Sequence, residues 1–383
     1  MKTVGIIGDG QLGMLLCQAA PELNLDTVLL TSDADSPAAR CATKSVVGTM
    51  DDTATLEALI QQCDVITYER EDVPPAAVSL LREAENAGRV VCRPSLDVIE
   101  MIQDKANQKR WFAENGLATL PFVIAETSPE TLAAAGKELG FPIVQKALRG
   151  GFDGRGVQLL RSETDFEKAW PGETLLEKYA GEFRELAVLL VRSSDGDMRY
   201  FGPVDMTFET DYSVLDTVMA PAAVSDDIAA AAVQLAKDAI ECMDGIGVFG
   251  VEMFLLSDRD VLINEISPRV HNAGHYTLEA CATSQFSQHL RAVADLPLAE
   301  TTLIRPGAMR NVLCTPALKA EDIHRPAQEL VSEEETTTYW YGKSPARLMR
   351  KLGHVTALGD SADVARDRVD AAWTQIQEEA QNA

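Results

Sequence analysis

The densest run of chemically active side chains in this sequence lies at residues 264–277, directly after the apolar stretch 261–263. The run contains a carboxylate, an arginine, two histidines and two asparagines. Polar groups of this kind are costly to bury without partners. A buried strand that ends in so many of them therefore indicates a site rather than a core.

A second carboxylate, Glu252, lies thirteen residues before Glu265 in another apolar segment, 248–254. The residues between the two apolar segments are turn-like, so the pattern predicts an antiparallel hairpin that brings Glu252 beside Glu265. Adjacent carboxylates repel each other unless one is protonated or a cation lies between them. Mg²⁺ takes oxygen ligands and often shares them with nucleotide phosphates, which favours a metal–nucleotide site. The alternative is a solvated hairpin whose glutamates have no such role.

Two glycine-rich segments are suited to approach phosphate groups. Residues 8–13 fit the pattern G-x-G-x-x-G between a predicted strand and a predicted helix, where backbone N–H groups bind phosphate. Asp33 stands where a dinucleotide-binding domain would hold a ribose, so a nicotinamide-dependent oxidoreductase stays open, but a mononucleotide phosphate fits this chain better. Residues 149–156 contain four glycines, an aspartate and two arginines, which suits phosphate binding; the alternative is a flexible hairpin tip.

Charged residues accompany these segments. Lys146 ends an apolar strand before the second glycine-rich loop, where it is either a phosphate contact or a lysine at a strand edge. Glu177 follows two leucines and could hold a ribose hydroxyl while the backbone of 177–179 faces an adenine edge. A basic group near the C-terminus could neutralise a phosphate or carboxylate together with Arg269, or could be a solvated face. That group comprises Lys343, Arg350, Lys351 and His354.

The elements that must position these residues follow from the hydrophobic pattern. Alternating strands and helices before residue 92 predict a parallel sheet covered by helices on both faces. The predicted strands are 4–7, 26–30, 65–68 and 90–91, and the predicted helices are 11–20, 53–62 and 76–86. Residues 98–115 predict one continuous helix that Gly116 ends.

A different pattern follows in the rest of the chain. A small α+β lid is predicted from strands 122–124, 143–146 and 157–160 around helix 129–139. A strand-rich domain with helix 228–243 comes next, and the chain closes with helix 362–379. We expect three domains, at 1–104, at 105–300 with a lid at about 118–178, and at 301–383.

Composition limits the classes of function. The chain has 383 residues, a net charge of −25 and seven scattered cysteines without a Cys-x-x-Cys pair. The negative charge argues against a nucleic-acid partner, and no apolar run reaches the length of a membrane span. The sequence starts directly with a strand and leaves no room for a signal peptide. Together with the cysteines, this predicts a cytoplasmic protein without structural zinc.

The order of these motifs resembles the N5-carboxyaminoimidazole ribonucleotide synthetases, ATP-grasp enzymes of purine biosynthesis. The resemblance covers nearly the whole length, and the block 268–277 is highly specific for this family. The segments that carry it are 8–13, 67–71, 103–105, 108–109, 151–156, 177, 185–186, 252, 264–277, 284–286, 341–343 and 350–354.

The resemblance implies an α/β and α+β fold of ATP-grasp architecture. Its parts would be an N-terminal Rossmann-like domain, a central ATP-grasp domain with a mobile lid, and a small C-terminal domain, assembled as a homodimer. The implied reaction starts when bicarbonate attacks the γ-phosphate of ATP to give carboxyphosphate and ADP. The exocyclic amine of 5-aminoimidazole ribonucleotide then captures carboxyphosphate or the CO2 released from it.

The resemblance also implies the residues of the site, with Mg²⁺ on Glu252 and Glu265. Those implied for ATP binding are Lys105, Lys146, Gly151, Phe152, Asp153, Gly154, Arg155, Gly156, Glu177, Lys178, Tyr179, Glu185, Asn264 and Glu265. Those implied for the ribonucleotide are Gly10, Gln11, Leu12, Glu69, Asn272, Lys343 and Arg350. Those implied for catalysis are Asp153, Arg269, His271 and Lys343, with Asp153 or His271 as the base.

Four positions depart from the usual pattern of the family. Met14 replaces an arginine near the substrate phosphate, and Phe152 replaces a tyrosine of the glycine-rich loop. Arg70 stands where an aromatic residue is usual, and the stretch around Phe208 lacks a histidine near the nucleotide. These changes leave open a related ligase or transformylase that acts on another acid and amine. The retained Glu252, Glu265 and Lys146 argue against a non-catalytic nucleotide-binding module.

Overall fold

The computed structural model describes residues 2–151, 156–209, 212–256, 260–315, 318, 335–343, 345 and 347–382. The first part of the chain forms a five-stranded parallel sheet in the order β3-β2-β1-β4-β5, which confirms the predicted sheet. Its elements are β1 (Thr3–Ile7), α1 (Gln11–Ala19), β2 (Asp26–Thr31), β3 (Lys44–Val47), α2 (Thr53–Ile60), β4 (Val65–Tyr68), α3 (Pro75–Asn86) and β5 (Val91–Cys92). The largely exposed edge strand β3 was not predicted.

The strand order of this sheet reverses between β1 and β4, the two central neighbours. In an open parallel sheet such a reversal leaves a crevice at the carboxyl ends of the strands, and ligands bind there. The glycine-rich turn after β1 and the acidic segment after β4 therefore lie at the same edge.

The single helix predicted at 98–115 is wrong, because the structure contains two helices, α4 (Leu96–Ile102) and α5 (Lys105–Glu114). Asp104 adopts an extended conformation, and its side chain accepts hydrogen bonds from the backbone N–H groups of Ala106 at 3.0 Å and Asn107 at 3.2 Å. Such a cap satisfies the free donors of a new helix start. The break places Lys105 in the first turn of α5.

The lid is a four-stranded antiparallel sheet in the order β6-β9-β7-β8 with one covering helix; the three strands and the helix predicted for the lid are present, and β9 is a fourth strand. Its elements are β6 (Phe122–Glu126), α6 (Pro129–Leu139), β7 (Ile143–Ala147), β8 (Val157–Leu160) and β9 (Glu173–Lys178). It has its own apolar core, in which Leu132, Ile143 and Leu176 are buried. A reciprocal capping box between Ser128 and Thr131 starts α6.

The remaining strands form one antiparallel sheet of eight strands in the order β14-β13-β10-β11-β12-β15-β17-β16. Its strands are β10 (Arg184–Arg192), β11 (Met198–Phe208), β12 (Leu215–Ala220), β13 (Gly247–Leu255), β14 (Val261–Ser267), β15 (Gly307–Leu313), β16 (Thr336–Trp340) and β17 (Lys351–Leu358). The accompanying helices are α7 (Asp226–Met243), α8 (Thr277–Ala280), α9 (Gln285–Val293) and α10 (Ala362–Asn382). The last three strands come from the C-terminal part of the chain, so that part continues the central sheet.

The N-terminal sheet packs onto the central sheet through α1 and α9. A shared apolar cluster joins Leu15 and Leu29 of the N-terminal part to Leu189 and Leu290 of the central part. His289 adds polar links across the same boundary, since its Nε2 lies 2.7 Å from the hydroxyl of Thr67 and its Nδ1 accepts a hydrogen bond from the backbone of Val248 at 3.0 Å. No helix of the described residues is long and apolar enough to cross a membrane.

Candidate active site

The hairpin formed by β13 and β14 brings two carboxylates side by side. Its antiparallel register pairs Glu252 directly with Glu265, which confirms the predicted hairpin. Lys105 at the start of α5 forms an ion pair with Glu265, and Nε2 of His271 lies 2.9 Å from a carboxylate oxygen of Glu252. Burial alone would raise the pKa of Glu265, but Lys105 and then Lys146 outweigh it and lower that pKa to about 2. Glu265 is therefore ionised.

A second charged cluster lies between the lid and the hairpin. Glu177 of β9 is buried and forms ion pairs with two lysines, Lys146 of β7 and Lys109 of α5. Lys146 also donates a hydrogen bond to the side-chain oxygen of Asn264 at 3.0 Å. Burial opposes ionisation of Glu177, but the two ammonium groups lower its pKa to about 2. Lys146 is thus held between the lid and the strand that carries Glu265.

A cavity of about 450 Å³ separates the lid from the central sheet. Its wall includes the aromatic side chains of Phe183, Phe208 and Phe254 as well as the carboxylates and lysines described above. Such a lining suits a nucleotide, whose base is flat and whose phosphates are charged. Twelve of the predicted site residues line it: Lys105, Lys146, Gly151, Glu177, Lys178, Tyr179, Glu185, Glu252, Asn264, Glu265, His271 and Asn272.

Two further polar groups of this cavity have well-defined environments. Burial, and then the nearby charge of Glu252, raise the pKa of Glu185 to about 8, so this carboxyl is largely protonated near neutrality and could donate a hydrogen bond. The amide of Asn272 exchanges two hydrogen bonds with the amide of Asn311, at 2.8 and 3.2 Å. Asn311 also donates to the backbone carbonyl of Leu215, so the orientation of Asn272 is fixed from behind.

The donor set at the hairpin fits a hard divalent cation. Glu252 and Glu265 are neighbours on adjacent strands, and Asn264 adds a side-chain oxygen. No group of three or more His, Cys, Asp or Glu side chains arranged for a metal occurs in the part of the chain that the structure describes. A site with two carboxylates is what Mg²⁺ needs when substrate phosphates supply the other ligands.

Four of the ribonucleotide residues predicted by resemblance, Gly10, Gln11, Leu12 and Glu69, form a second group at the N-terminus of α1. The buried carboxylate of Glu69 accepts hydrogen bonds from the backbone N–H groups of Gly10 at 2.5 Å and Leu12 at 3.2 Å. Burial raises the pKa of Glu69, although the N–H of Gly10 and the charge of Lys343 oppose the effect. In this structure the predicted phosphate donors therefore bind a carboxylate of the protein itself.

The C-terminal part of the chain reaches the same place. Lys343 donates a hydrogen bond to the side chain of Gln11, and its ammonium lies 5.2 Å from the ring centre of Tyr341. Arg350 donates to the backbone carbonyl of Pro345 at 2.6 Å. Lys343 of the C-terminal basic group therefore lies at the α1 turn, beside the predicted substrate-binding residue Gln11.

Arg269 connects the residues around the cavity to those around the α1 turn. Its guanidinium donates to Glu71, with the shorter contact at 2.6 Å, and both side chains are largely buried. Burial alone would raise the pKa of Glu71, but Arg269 lowers it. Glu71 follows β4 and Arg269 follows β14, so this ion pair joins the N-terminal sheet to the end of the carboxylate hairpin.

The glycine-rich loop is described only in part. Phe152, Asp153, Gly154 and Arg155 lie outside the described residues. Gly156 is not part of the cavity wall, and its positive φ of 77° requires a residue without a side chain at the end of the loop.

The departing positions also differ in location. Met14 is buried in the apolar core beside α9, and Arg70 pairs with Asp72 at the surface. Phe208 lines the cavity, so among these three positions only this one changes the predicted nucleotide wall.

His354 is not a surface cation, which corrects its assignment to the C-terminal basic group. Its side chain is fully buried, its ring stacks on Tyr339 at 4.5 Å, and its Nδ1 lies 2.6 Å from the hydroxyl of Tyr341. Burial lowers the pKa of His354 to about 3, so the ring is neutral. Its ring holds Tyr339 and Tyr341, the aromatic residues that come shortly before Lys343 in the chain.

Sequence reasoning missed two functional neighbours, Lys109 and Glu71. Lys109 lies four residues after Lys105 on the same helix, so the spacing alone would have placed both on one face. Glu71 lies two residues after Glu69, at the strand end where ligands of parallel sheets bind. Both lie in segments that carried the family resemblance, but neither was assigned to the site.

Three family models match consecutive parts of the chain. The ribonucleotide synthetase preATP-grasp domain matches residues 1–103, and the ATP-grasp domain matches residues 110–286. The phosphoribosylaminoimidazole carboxylase C-terminal domain matches residues 307–368.

Whole-chain similarities agree with these models. A protein from Synechococcus elongatus named N5-carboxyaminoimidazole ribonucleotide synthase is 39% identical over 98% of this chain and 94% of its own length. The solved structure of carboxyaminoimidazole ribonucleotide synthase from Aspergillus clavatus with ATP is 34% identical, with a TM-score of 0.89 over 98% of both chains. A second structure from that organism, with ADP and 5-aminoimidazole ribonucleotide, is 34% identical with a TM-score of 0.89 over 98% of this chain and 99% of the other.

Proposed function

Because this chain belongs to the family of N5-carboxyaminoimidazole ribonucleotide synthases, we propose that it carboxylates 5-aminoimidazole ribonucleotide at the expense of ATP in purine biosynthesis. The observation that carries this proposal is the cavity between lid and sheet. There a pair of carboxylates, Glu252 and Glu265, lies beside Lys105 and Lys146. Such an arrangement suits phosphoryl transfer from a nucleotide.

ATP binds in the cavity with its base against the aromatic side chains and its phosphates toward the hairpin. Glu177, Lys178 and Tyr179 of the lid border the base and ribose, and the protonated Glu185 faces the same space. Lys105 and Lys146 offset the negative charge of the phosphates. A Mg²⁺ ion held by Glu252 and Glu265 would add charge neutralisation at the β- and γ-phosphates.

In the first step an oxygen of bicarbonate forms a bond to the γ-phosphorus while the bond to the ADP oxygen breaks. This step yields carboxyphosphate and ADP. Arg269 lies between the cavity proposed for ATP and the α1 turn proposed for the ribonucleotide, where its guanidinium can hold carboxyphosphate. The lid excludes water from this unstable intermediate.

In the second step the exocyclic amine of the ribonucleotide bonds to the carboxyl carbon, or to CO2 released from carboxyphosphate, and inorganic phosphate leaves. The amine must also lose a proton. His271 is the candidate base among the described residues, because its Nε2 lies beside Glu252 and its ring borders the cavity. Asp153 is the other candidate base. Lys343 and the turn at Gly10–Leu12 hold the ribonucleotide phosphate, with Arg350 nearby; Glu69 must first release the N–H groups of Gly10 and Leu12 that it now accepts hydrogen bonds from.

The competing proposal is a related ATP-grasp ligase that uses another acid and amine. The specific observation in its favour is Phe208, which lines the cavity where the family pattern leads us to expect a histidine. We further propose, from the family resemblance, that the protein is a cytoplasmic homodimer. Sedimentation velocity at micromolar concentration measures the assembly directly.

Release of ADP in buffer depleted of CO2 tests the proposed function. The assay contains Mg-ATP with and without added bicarbonate, and with and without 5-aminoimidazole ribonucleotide. We expect strong stimulation only when both co-substrates are present, together with one carboxylated product per ADP. ADP release that ignores bicarbonate would support the competing ligase. ADP release that requires bicarbonate but ignores the ribonucleotide would point to another amine acceptor.

A further inference from the structure

Lys109 lies at the base of the lid and is almost completely buried, with 3% of its side chain exposed. Its ammonium donates a hydrogen bond to the hydroxyl of Thr119 at 2.6 Å and lies 2.6 Å from a carboxylate oxygen of Glu177. Thr119 precedes the first strand of the lid, and Glu177 belongs to the last. One ammonium group therefore contacts both chain segments that connect the lid to the rest of the molecule.

The first of these segments is fixed to the carboxylate hairpin. The hydroxyl of Thr119 donates to the backbone carbonyl of Ile263 at 2.8 Å, and the N–H of Ile263 donates to the carbonyl of Ala118 at 2.8 Å. Ile263 lies in β14, two residues before Glu265. Lys109 thus connects α5, the first lid segment and the strand that carries Glu265.

The second segment is connected to the phosphate-binding group. Glu177 is shared between Lys109 and Lys146, and Lys146 also contacts Asn264. If Lys146 turns toward a nucleotide phosphate, a buried carboxylate would lose one of its two cations. Without Lys109 that carboxylate would then have no cation, and an unpaired buried charge is costly. With Lys109 in contact, Glu177 keeps one cation.

We infer that Lys109 is a positioning residue at the hinge of the lid, which fixes both hinge segments and keeps Glu177 compensated while Lys146 engages the nucleotide. The inference rests on the proposed function only in taking ATP as the nucleotide. Lys109 does not border the cavity, so it acts through Thr119 and Glu177 rather than on the substrate. Burial, together with the nearby ammonium of Lys146, lowers the pKa of Lys109 to about 8.

The test compares Lys109→Met with Thr119→Val and with Lys137→Met, a control that removes an exposed lysine of the lid helix. Two measurements need no turnover: the Kd of a non-hydrolysable ATP analogue with Mg²⁺, and backbone amide exchange. For Lys109→Met we expect about tenfold weaker analogue binding and about tenfold faster exchange in β6 and β9, with unchanged exchange in β12 and β15. Thr119→Val should show a smaller change of the same kind, and Lys137→Met none.

Turnover adds a measurement that a purely structural role would not change. With a loosened lid, water reaches carboxyphosphate, so ADP release should exceed consumption of the ribonucleotide while the KM for the ribonucleotide stays unchanged. Unchanged exchange in both lid strands would overturn the inference, and so would a uniform increase across all three sheets. If Lys109→Met does not fold, Thr119→Val decides by the same criteria. If the proposed function is wrong, the wild type will show no bicarbonate-dependent ADP release, but the expected differences in analogue binding and amide exchange will remain.

Discussion

Gly250 faces the candidate base, and adding one methyl group there should displace it. A Cβ atom at Gly250 would lie 2.7 Å from both Cβ and Cγ of His271, whereas ordinary contacts begin at 3.4 Å. Gln285 holds the backbone of His271, because it accepts a hydrogen bond from the N–H at 2.8 Å and donates one to the carbonyl at 2.7 Å. Rotation of the imidazole would move Cγ but not Cβ, so the backbones of residues 250 and 271 must separate by about 0.7 Å against these bonds, which displaces the imidazole from its 2.9 Å contact with Glu252.

We expect Gly250→Ala to lower kcat about 100-fold, since a displacement of about 1 Å in a catalytic group costs on that order. Overpacking should also lower the free energy of unfolding by about 1–3 kcal/mol. The assays are carboxylated product formation at saturating substrates and thermal unfolding. Gly245→Ala is the matched control, because it crowds Phe249, which does not line the cavity; it should lose stability but keep kcat.

The double variant Gly250→Ala/His271→Gly separates the two effects. Removing the whole side chain of His271, including its Cβ, makes room for the new methyl group, so the double variant should be more stable than Gly250→Ala and no less active than His271→Gly. A wild-type kcat in Gly250→Ala would refute the reasoning. Strictly additive losses in the double variant would also refute it, because the two groups would then not be in conflict.

Three further outcomes follow from the charges of the site. Glu265→Gln should reduce ADP release at least about 100-fold without changing the near-UV circular dichroism spectrum; full activity would exclude Glu265 as a metal ligand. Lys343→Ala should raise the KM for the ribonucleotide about tenfold but leave the KM for ATP unchanged, and a change in thermal stability alone would mean that Lys343 is structural. Glu177→Gln should destabilise the protein by about 3 kcal/mol at pH 7 in urea unfolding. The pKa of Glu177 is lowered from 4.5 to about 2, so its contribution to stability is complete above pH 4.5 and is lost as the pH falls toward 2. The free energies of unfolding of the wild type and Glu177→Gln should therefore converge near pH 2. A difference that persists at low pH would contradict the assigned ion pairs.

The carboxylate hairpin was predictable because its information is local. Two apolar segments and a turn-like connection were enough to place Glu252 beside Glu265. The break before Lys105 was not predicted, since residues 98–115 keep a helical pattern throughout. It depends on the side chain of Asp104, which competes with the helix for backbone donors.

The partners of buried charges could not be predicted from the sequence. Lys109 and Glu177 are far apart in the chain, and their ion pair exists only because the lid folds back onto α5. The same holds for Arg269 and Glu71, which the packing of two sheets brings together. His354 follows several basic residues in the sequence and was therefore grouped with them, but the sequence does not show that aromatic rings pack against it in the fold.

The continuous eight-stranded sheet has a consequence for aggregation. Strand β12 of the central part pairs with β15 of the C-terminal part through the register Thr217 with Arg310 to Ala220 with Gly307. If the chain ended near residue 300, β12 would become an open edge with unpaired N–H and C=O groups, and β-sheet edges of that kind recruit other chains. The C-terminal strands therefore protect the nucleotide-binding sheet from self-association, in addition to delivering Lys343 to the site.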